Sequence, residues 1–389
     1  MKTPYYVIHQ EMLQKNIDDF VQGMRTNWKH SRFGYSVKTN SLPWLLSYVK
    51  QNGGLAEVVS DEEYDLALLC GFAPTEIIFN GPIKSKDKFL FAIEHGSYVN
   101  IDSENEIQWI EEYKKPILNL GIRINVPPDV FKPEDIEYTS DGFRFGFSVE
   151  NGAFERALKR IAYTQDIKTI GIHLHCNSIT RSTDVYRSIS KYAANLIEDY
   201  NIEPRYIDVG GGFFGGVPGK ATINEYFDIV ASELERIPST IHSLLIAEPG
   251  SAIVGSVMDF HTSVIDVKDT NNARIVTTDG GRIHIDPQWF RTHYLYSIRT
   301  KSEEEYHGKQ IICGYTCMDH DRIMEIKDEK ELQIDDEIIY HRVGAYTVTF
   351  GGLFIKYLPE VYVHNNEEIK KVRETMTAED FVKLHSFGG

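Results

Sequence analysis

The sequence has few cysteines, no long apolar run and no excess of basic residues. Cys70, Cys176, Cys313 and Cys317 are too few for a disulfide framework in 389 residues, and they lack the spacing of a zinc ribbon. No apolar run approaches the roughly 18 residues that cross a membrane. The first residues also lack the apolar core of a secretory signal. We therefore expect a cytoplasmic protein with reduced thiols, no metal site and no membrane partner.

The charge balance argues against nucleic acid as a partner. The formal net charge is -16, whereas nucleic-acid-binding proteins concentrate Lys and Arg on one face. Hydrophobic residues make up 42% and charged residues 25%, which is ordinary for a soluble globular chain. A chain of 389 residues exceeds one compact core of usual size, so we expect one large domain and one smaller domain.

Short apolar runs alternate with amphipathic stretches through the first two thirds of the chain. Three of those stretches open with a capping box, at Ser60, Ser103 and Thr222. Eight runs predict strands, at 33–37, 55–59, 77–79, 98–101, 117–124, 170–174, 206–209 and 244–247. Eight strand–helix units favour an α/β fold, a (β/α)8 TIM barrel, with a doubly wound sheet as the competing layout.

The pattern changes after about residue 258 to short alternating segments, such as 260–267, 274–277 and 337–341. These segments predict a β-rich second domain, to which residues 5–8 could add a strand. We therefore expect a barrel over 26–258 and a β-rich domain made of 1–25 and 259–389.

Polar residues follow the predicted strands where a barrel carries its functional groups, at the carboxyl ends. They are Lys38, Asn80, Asn125, His175, Gly210 and Glu248. Each alone has an ordinary structural explanation. Together they offer an amine, glycine N–H groups for a phosphate, a carboxylate for a pyridine nitrogen and a flat ring, which is the chemistry that pyridoxal 5'-phosphate (PLP) needs.

The sequence here resembles the fold-type III PLP-dependent decarboxylases, which include ornithine, arginine and diaminopimelate decarboxylases. The resemblance covers nearly the whole chain in order and approximate spacing. Its segments are YSVKTN (35–40), EVVS (57–60) with Glu63, NGPIK (80–84), RIN (123–125), RFG (144–146), HLHCNS (173–178), DVGGG (208–212), EPG (248–250), CGYTC (313–317) with Asp321, and GAYT (344–347).

The resemblance implies a barrel with a β domain, a head-to-tail homodimer with shared active sites, and a role for each matching residue. Lys38 would bind PLP as a Schiff base, His175 would stack on its ring and Glu248 would pair with the ring nitrogen. Cys317 of the partner subunit would return a proton to the substrate carbon. The remaining cofactor-binding residues would be Glu57, Arg123, Ser178, Gly211, Gly212, Gly250 and Tyr346.

Three positions depart from the family pattern. Ser251 replaces the arginine that usually follows Glu-Pro-Gly, and Met318 replaces the acidic residue that usually follows the cysteine. Asp286 stands where diaminopimelate decarboxylases commonly have an arginine. Asp286, Met318 and Asp321 are the predicted substrate-binding residues, and a changed distal pocket changes the preferred substrate.

These departures, together with Asn177, favour α-decarboxylation of an amino acid or amino-acid conjugate, as in siderophore or other secondary-metabolite biosynthesis. Three alternatives stay open. They are a diaminopimelate, ornithine or lysine decarboxylase of primary metabolism, a PLP-dependent amino-acid racemase, and an inactive regulatory protein that resembles the decarboxylases.

Overall fold

A computed structural model describes residues 1–137 and 141–385 of the chain. It divides into two compact units, Asn16–Ile253, and Met1–Lys15 with Val254–Gly389. The first boundary lies ten residues before the predicted one. The reason is Phe20, whose ring contacts Phe33, Phe213 and Phe227 within the larger unit.

Within the described residues the elements are as follows. The strands are β1 (Tyr5–His9), β2 (Ser31–Ser36), β3 (Leu55–Val58), β4 (Ile77–Phe79), β5 (Tyr98–Ile101), β6 (Leu120–Asn125), β7 (Phe147–Ser148), β8 (Gly171–Leu174), β9 (Tyr206–Asp208), β10 (Leu244–Ala247), β11 (Met258–Asp269), β12 (Arg274–Thr278), β13 (Leu295–Arg299), β14 (Glu305–Cys313), β15 (Arg322–Lys330), β16 (Glu337–His341), β17 (Glu360–His364) and β18 (Ile369–Arg373). The α-helices are α1 (Gln10–Asn27), α2 (Pro43–Gln51), α3 (Asp61–Leu69), α4 (Lys86–Glu94), α5 (Glu104–Tyr113), α6 (Ala153–Ile161), α7 (Thr183–Asp199), α8 (Ile223–Leu234), α9 (Ser251–Val254), α10 (Arg282–Ile285), α11 (Thr347–Phe350) and α12 (Ala378–Lys383).

The larger unit is a closed parallel barrel. In the described chain its eight strands lie in the order β2, β3, β4, β5, β6, β8, β9, β10, and β10 pairs with β2 to close the barrel. The barrel prediction is therefore confirmed, and the doubly wound sheet is wrong because an open sheet would leave two edges. The sequence did not predict β7, which pairs with β6, because two residues are too few to show a period.

The smaller unit is a mixed sheet around β11, which pairs antiparallel with β1, β12 and β16. Strand β1 also pairs parallel with β17, so the N-terminal segment adds the strand expected of residues 5–8. The second, β-rich domain is confirmed.

Local signals begin the helices as expected. Ser60 accepts a hydrogen bond from the Glu63 N–H, and Thr222 and Glu225 form a complete capping box. At Ser103 the hydroxyl instead donates to the Glu106 carboxylate. Among the described residues, no helix is both long and apolar enough to cross a bilayer.

Candidate active site

Lys38 lies in a short 3-10 turn, Val37–Thr39, directly after β2. Its Nζ donates to Oε2 of Glu57, a β3 residue, at 2.8 Å. Oε2 of Glu57 also accepts from the Ser36 hydroxyl, and Oε1 accepts from the amide of Asn80. Burial by itself would raise the pKa of Glu57, but the Lys38 charge and these hydrogen bonds outweigh it, so the pKa lies below its usual value. Glu57 is therefore a carboxylate that holds the lysine.

Glu248 follows β10 and lies in a second buried group with Asp208 and His173. Oε2 of Glu248 is 3.7 Å from Nε2 of His173. Burial, then the charges of Asp208 and Glu57, raise the pKa of Glu248 well above its usual value. Burial, followed by Arg123 and other nearby cations, lowers the pKa of His173. At this end of the site, Glu248 and His173 are therefore both favoured in their neutral forms until a cation binds beside them.

The same group offers unused hydrogen-bonding atoms. In the described chain, both ring nitrogens of His173 and Oδ2 of Asp208 are buried with no atom within hydrogen-bonding geometry. One ligand atom from each of His173, Asp208 and Glu248 lies within 4.8 Å of the others, which is also a spacing that a metal ion could use. A protonated pyridine nitrogen would supply the missing positive donor equally well.

His175 follows β8 and lies beside the glycines that follow β9. Its Nδ1 accepts from the Gly211 N–H at 3.3 Å. Gly210 has φ +66°, and a β-carbon there would overlap the His175 ring. Desolvation, then the charges of Arg123 and Lys38, lower the pKa of His175 to about 3. The imidazole is therefore neutral near pH 7, as suits a ring that stacks on another ring.

The glycines predicted to hold the phosphate are required by close backbone approaches. A β-carbon on Gly211 would overlap the carbonyl oxygen of Glu248, and one on Gly250 would overlap the hydroxyl of Thr39. Gly212 has φ +99°, which disfavours a side chain. The N–H groups of Gly210 and Gly211 donate to Oδ1 of Asp208 and Nδ1 of His175, and the close contacts at the carboxyl ends of the strands leave no room for side chains at these glycines.

Two other predicted cofactor residues have protein partners. Ser178 Oγ donates to the carbonyl of Asp135 at 3.0 Å and accepts from the Arg181 N–H. The guanidinium of Arg123 pairs with Asp102 at 3.3 Å and lies 4.5 Å from the centre of the Phe145 ring.

The remaining predicted residues lie in the smaller unit. Cys317 is exposed and Met318 is half-buried. Tyr346 precedes α11 with φ +63°. Asp321 is buried, and its carboxylate accepts from the Thr316 hydroxyl and the backbone N–H that begins α10.

Asp286 is buried, and its carboxylate is hydrogen-bonded within its own turn. Its Oδ2 accepts from the guanidinium of Arg282 at 3.0 Å, from the Arg291 N–H and from the Tyr294 hydroxyl. Its Oδ1 accepts from the Phe290 N–H. A substrate could therefore reach Asp286 only by displacing donors that hold this turn together.

Residues 14–255 match the family described as "Pyridoxal-dependent decarboxylase, pyridoxal binding domain". The chain belongs to this family. A probable diaminopimelate decarboxylase, chloroplastic, of Oryza sativa subsp. japonica is 27% identical over 98% of this chain and 79% of its own. The crystal structure of M. jannaschii diaminopimelate decarboxylase with L-lysine superposes with a TM-score of 0.87 at 20% identity, covering 99% of this chain and 92% of its own. Paramecium bursaria Chlorella virus arginine decarboxylase gives a TM-score of 0.76 at 20% identity, covering 94% and 96%.

The predicted family, cofactor and reaction class are confirmed: the protein is a PLP-dependent amino-acid decarboxylase. Its barrel residues fit the cofactor, because three parts of the site lie at the carboxyl ends of the strands. They are the Lys38 amine, the glycines at 210–212, and the buried group of His173, Asp208 and Glu248.

Sequence reasoning gave no role to His173, Asp208 or Asn100. All three are polar residues inside buried strands, and His173 and Asp208 also begin two of the segments that carry the family resemblance.

Proposed function

We propose that this decarboxylase acts on diaminopimelate and releases carbon dioxide and lysine. The observation that carries the proposal is the match of curated diaminopimelate decarboxylases to nearly the whole chain, barrel and β-rich unit alike. It supports the primary-metabolism alternative over a conjugated substrate.

The barrel residues would divide the chemistry between them. PLP, when bound, supplies an electron sink for the pair of electrons that carbon dioxide leaves behind. Lys38 would bind the cofactor covalently, and Glu57, 2.8 Å away, would hold and neutralise that amine when it is free. Glu248 would accept a hydrogen bond from the protonated ring nitrogen, because an ion pair there offsets the cost of burying the carboxylate. Neutral His175 would cover one ring face.

We also propose a head-to-tail homodimer in which Cys317 of one subunit serves the barrel of the other. Cys317 is exposed, as a residue that acts on another subunit's substrate must be. Its thiol would return the proton to the carbon that loses the carboxyl group.

The substrate proposal is tested by carbon dioxide release from purified, PLP-loaded protein. The panel contains meso-diaminopimelate, lysine, ornithine, arginine and two Nε-acylated lysines. We expect kcat/KM to be highest for diaminopimelate, with lysine as the product. Faster release from lysine, ornithine or arginine would overturn the proposal.

A conjugated amino acid is the second candidate, and Met318 favours it. A thioether cannot pair with a distal ammonium group, whereas the usual acidic residue can. In the same panel, a preference for the acylated lysines over diaminopimelate would establish this candidate instead.

A further inference from the structure

A hydrogen-bonded chain of side chains crosses the interior of the barrel beneath the site. It begins at Tyr206, whose ring fits only because β6 and β8 carry glycines beside it. A β-carbon on either Gly121 or Gly171 would overlap the Tyr206 ring. Strands β6 and β8 therefore carry glycines where the Tyr206 side chain of β9 fills the barrel interior.

The chain runs from this tyrosine towards the carboxyl ends of the strands. The Tyr206 hydroxyl donates to Oδ1 of Asn100 at 2.7 Å. Nδ2 of Asn100 donates to Oδ1 of Asn80 at 2.8 Å. Asn80 then donates from its single Nδ2 to two carboxylates, Oε1 of Glu57 at 3.1 Å and Oε1 of Glu248 at 2.5 Å. Every member of the chain is buried.

The direction of donation is fixed from the tyrosine outwards. Burial raises the pKa of Tyr206 well above its usual value, so the hydroxyl keeps its proton and can donate a hydrogen bond, as it does to Oδ1 of Asn100. Asn100 must then turn its oxygen to the tyrosine and its NH2 group to Asn80. Asn80 consequently turns its oxygen inwards and both of its N–H bonds to the carboxylates. One amide thus donates to the two acids that would face opposite ends of the cofactor.

We infer that Asn80 is a positioning residue that holds Glu57 and Glu248 in register, as hydrogen-bond acceptors at Oε1. Each carboxylate then keeps Oε2 for its own task, Glu57 for Lys38 and Glu248 for the ring nitrogen. This inference rests on the cofactor roles in the proposed function but not on the identity of the substrate. It also gives Tyr206 and Asn100, remote from the cofactor, a defined effect on its protonation.

The physical reason for such a device is the cost of ionising Glu248. Burial, then the charges of Asp208 and Glu57, raise the pKa of Glu248, which favours a neutral acid at the position where an anion would meet the ring nitrogen. A donor shared by both carboxylates stabilises both anions at once. Without it, Glu248 would keep its proton to higher pH, and the ring nitrogen would lose its partner over the same range.

The test compares N80A and Y206F with wild-type protein, with Y98F as the matched control. Tyr98 packs edge-on against Tyr206, with the two ring centres 5.3 Å apart. Y98F therefore removes a neighbouring hydroxyl that is not part of the hydrogen-bonded series from Tyr206 to the two carboxylates. The absorbance of bound PLP is titrated with pH, and the PLP dissociation constant is measured. Thermal unfolding of each cofactor-free protein establishes that it is folded.

For N80A we expect the midpoint of the absorbance titration to move by about one pH unit, and PLP to bind about tenfold more weakly, since the lost hydrogen bonds are to charged groups. Y206F should change both quantities in the same direction by a smaller amount, and Y98F should match the wild type. On diaminopimelate, N80A should lower kcat more than it changes KM.

The inference is overturned if folded N80A and Y206F titrate and bind PLP as the wild type does, or if Y98F shifts the midpoint as far as Y206F. If N80A does not fold, Y206F alone decides. These readouts do not require turnover, so failure of the diaminopimelate proposal leaves them unaffected.

Discussion

Lys38 and Glu57 form an ion pair in which one partner is buried and the other is not. The Glu57 side chain is 1% exposed, whereas that of Lys38 is 43% exposed. The carboxylate is therefore fixed by the barrel, and the amine remains accessible from the mouth of the barrel, where a cofactor must reach it.

The first prediction concerns the pH dependence that Glu57 contributes. Its folded-state pKa is lowered, so its contribution to stability is present above the unfolded value of about 4.3 and is lost as pH falls through the folded value. In cofactor-free protein, the difference in free energy of unfolding between wild type and E57Q should be largest near neutral pH and should shrink below pH ~4. Denaturant unfolding at a series of pH values measures it. E62Q, which changes an exposed glutamate, is the matched control, and a pH-independent difference for E57Q would contradict the prediction.

Glu248 should show the opposite sign. Its folded-state pKa is raised, so the folded state binds the proton more tightly, and stability falls as pH rises from the unfolded value through the folded one. E248Q imitates the protonated acid and lacks this loss. Cofactor-free E248Q should therefore gain stability relative to wild type as the pH rises above the unfolded value of about 4.3. The same unfolding series tests this, with E235Q as the surface control, and a relative loss on raising the pH would refute it.

Gly211 should not tolerate a side chain. A β-carbon would overlap the carbonyl oxygen of Glu248, which is backbone and cannot rotate away. We expect G211A to lower the free energy of unfolding by about 1–3 kcal/mol and to weaken PLP binding. The comparison is G352A, where the nearest atom lies 4.0 Å from the added carbon, an ordinary van der Waals contact. Thermal unfolding and PLP titration measure the two effects. If G211A matches the wild type in both stability and PLP affinity, the prediction is wrong.

The homodimer proposal predicts that two inactive variants restore each other. K38A removes the cofactor amine and C317A removes the proposed proton donor, so each homodimer should release little carbon dioxide. When equal amounts of the two variants exchange subunits at random, half of the dimers contain one subunit of each. Each mixed dimer has one site with both residues intact and one site with neither, which gives about a quarter of wild-type activity. Carbon dioxide release after mixing and re-equilibration measures this. A mixture that stays inactive, although light scattering shows dimers and co-purification of differently tagged subunits shows that they exchange, would place both residues in the same subunit's site.

Several features of this protein could be read from neighbouring residues alone. Apolar runs of three to eight residues predicted the barrel strands, because a parallel strand is buried on both faces. The capping boxes at Ser60 and Thr222 predicted helix starts for a similarly local reason, since their partners lie three residues away. Lys38 and Glu248 stood out because each polar residue ends an apolar run.

Other features depended on residues that are far apart in the sequence. Lys38 donates to Glu57 on the next strand, and Asn80 joins Glu57 to Glu248 across the barrel. Asp286, read from the sequence as a substrate residue, has its oxygens directed at donors of its own turn. Neither arrangement has a local signature, because each depends on the register and the closure of the sheet.

The sequence by itself determined the strands, the helix starts and the set of chemical groups, since those depend on periodicity and on residue type. Only the tertiary structure decided which groups meet, which carboxylates share a donor and which side chains are already occupied. Those are properties of distances between segments, and the closure of β2 against β10 creates them.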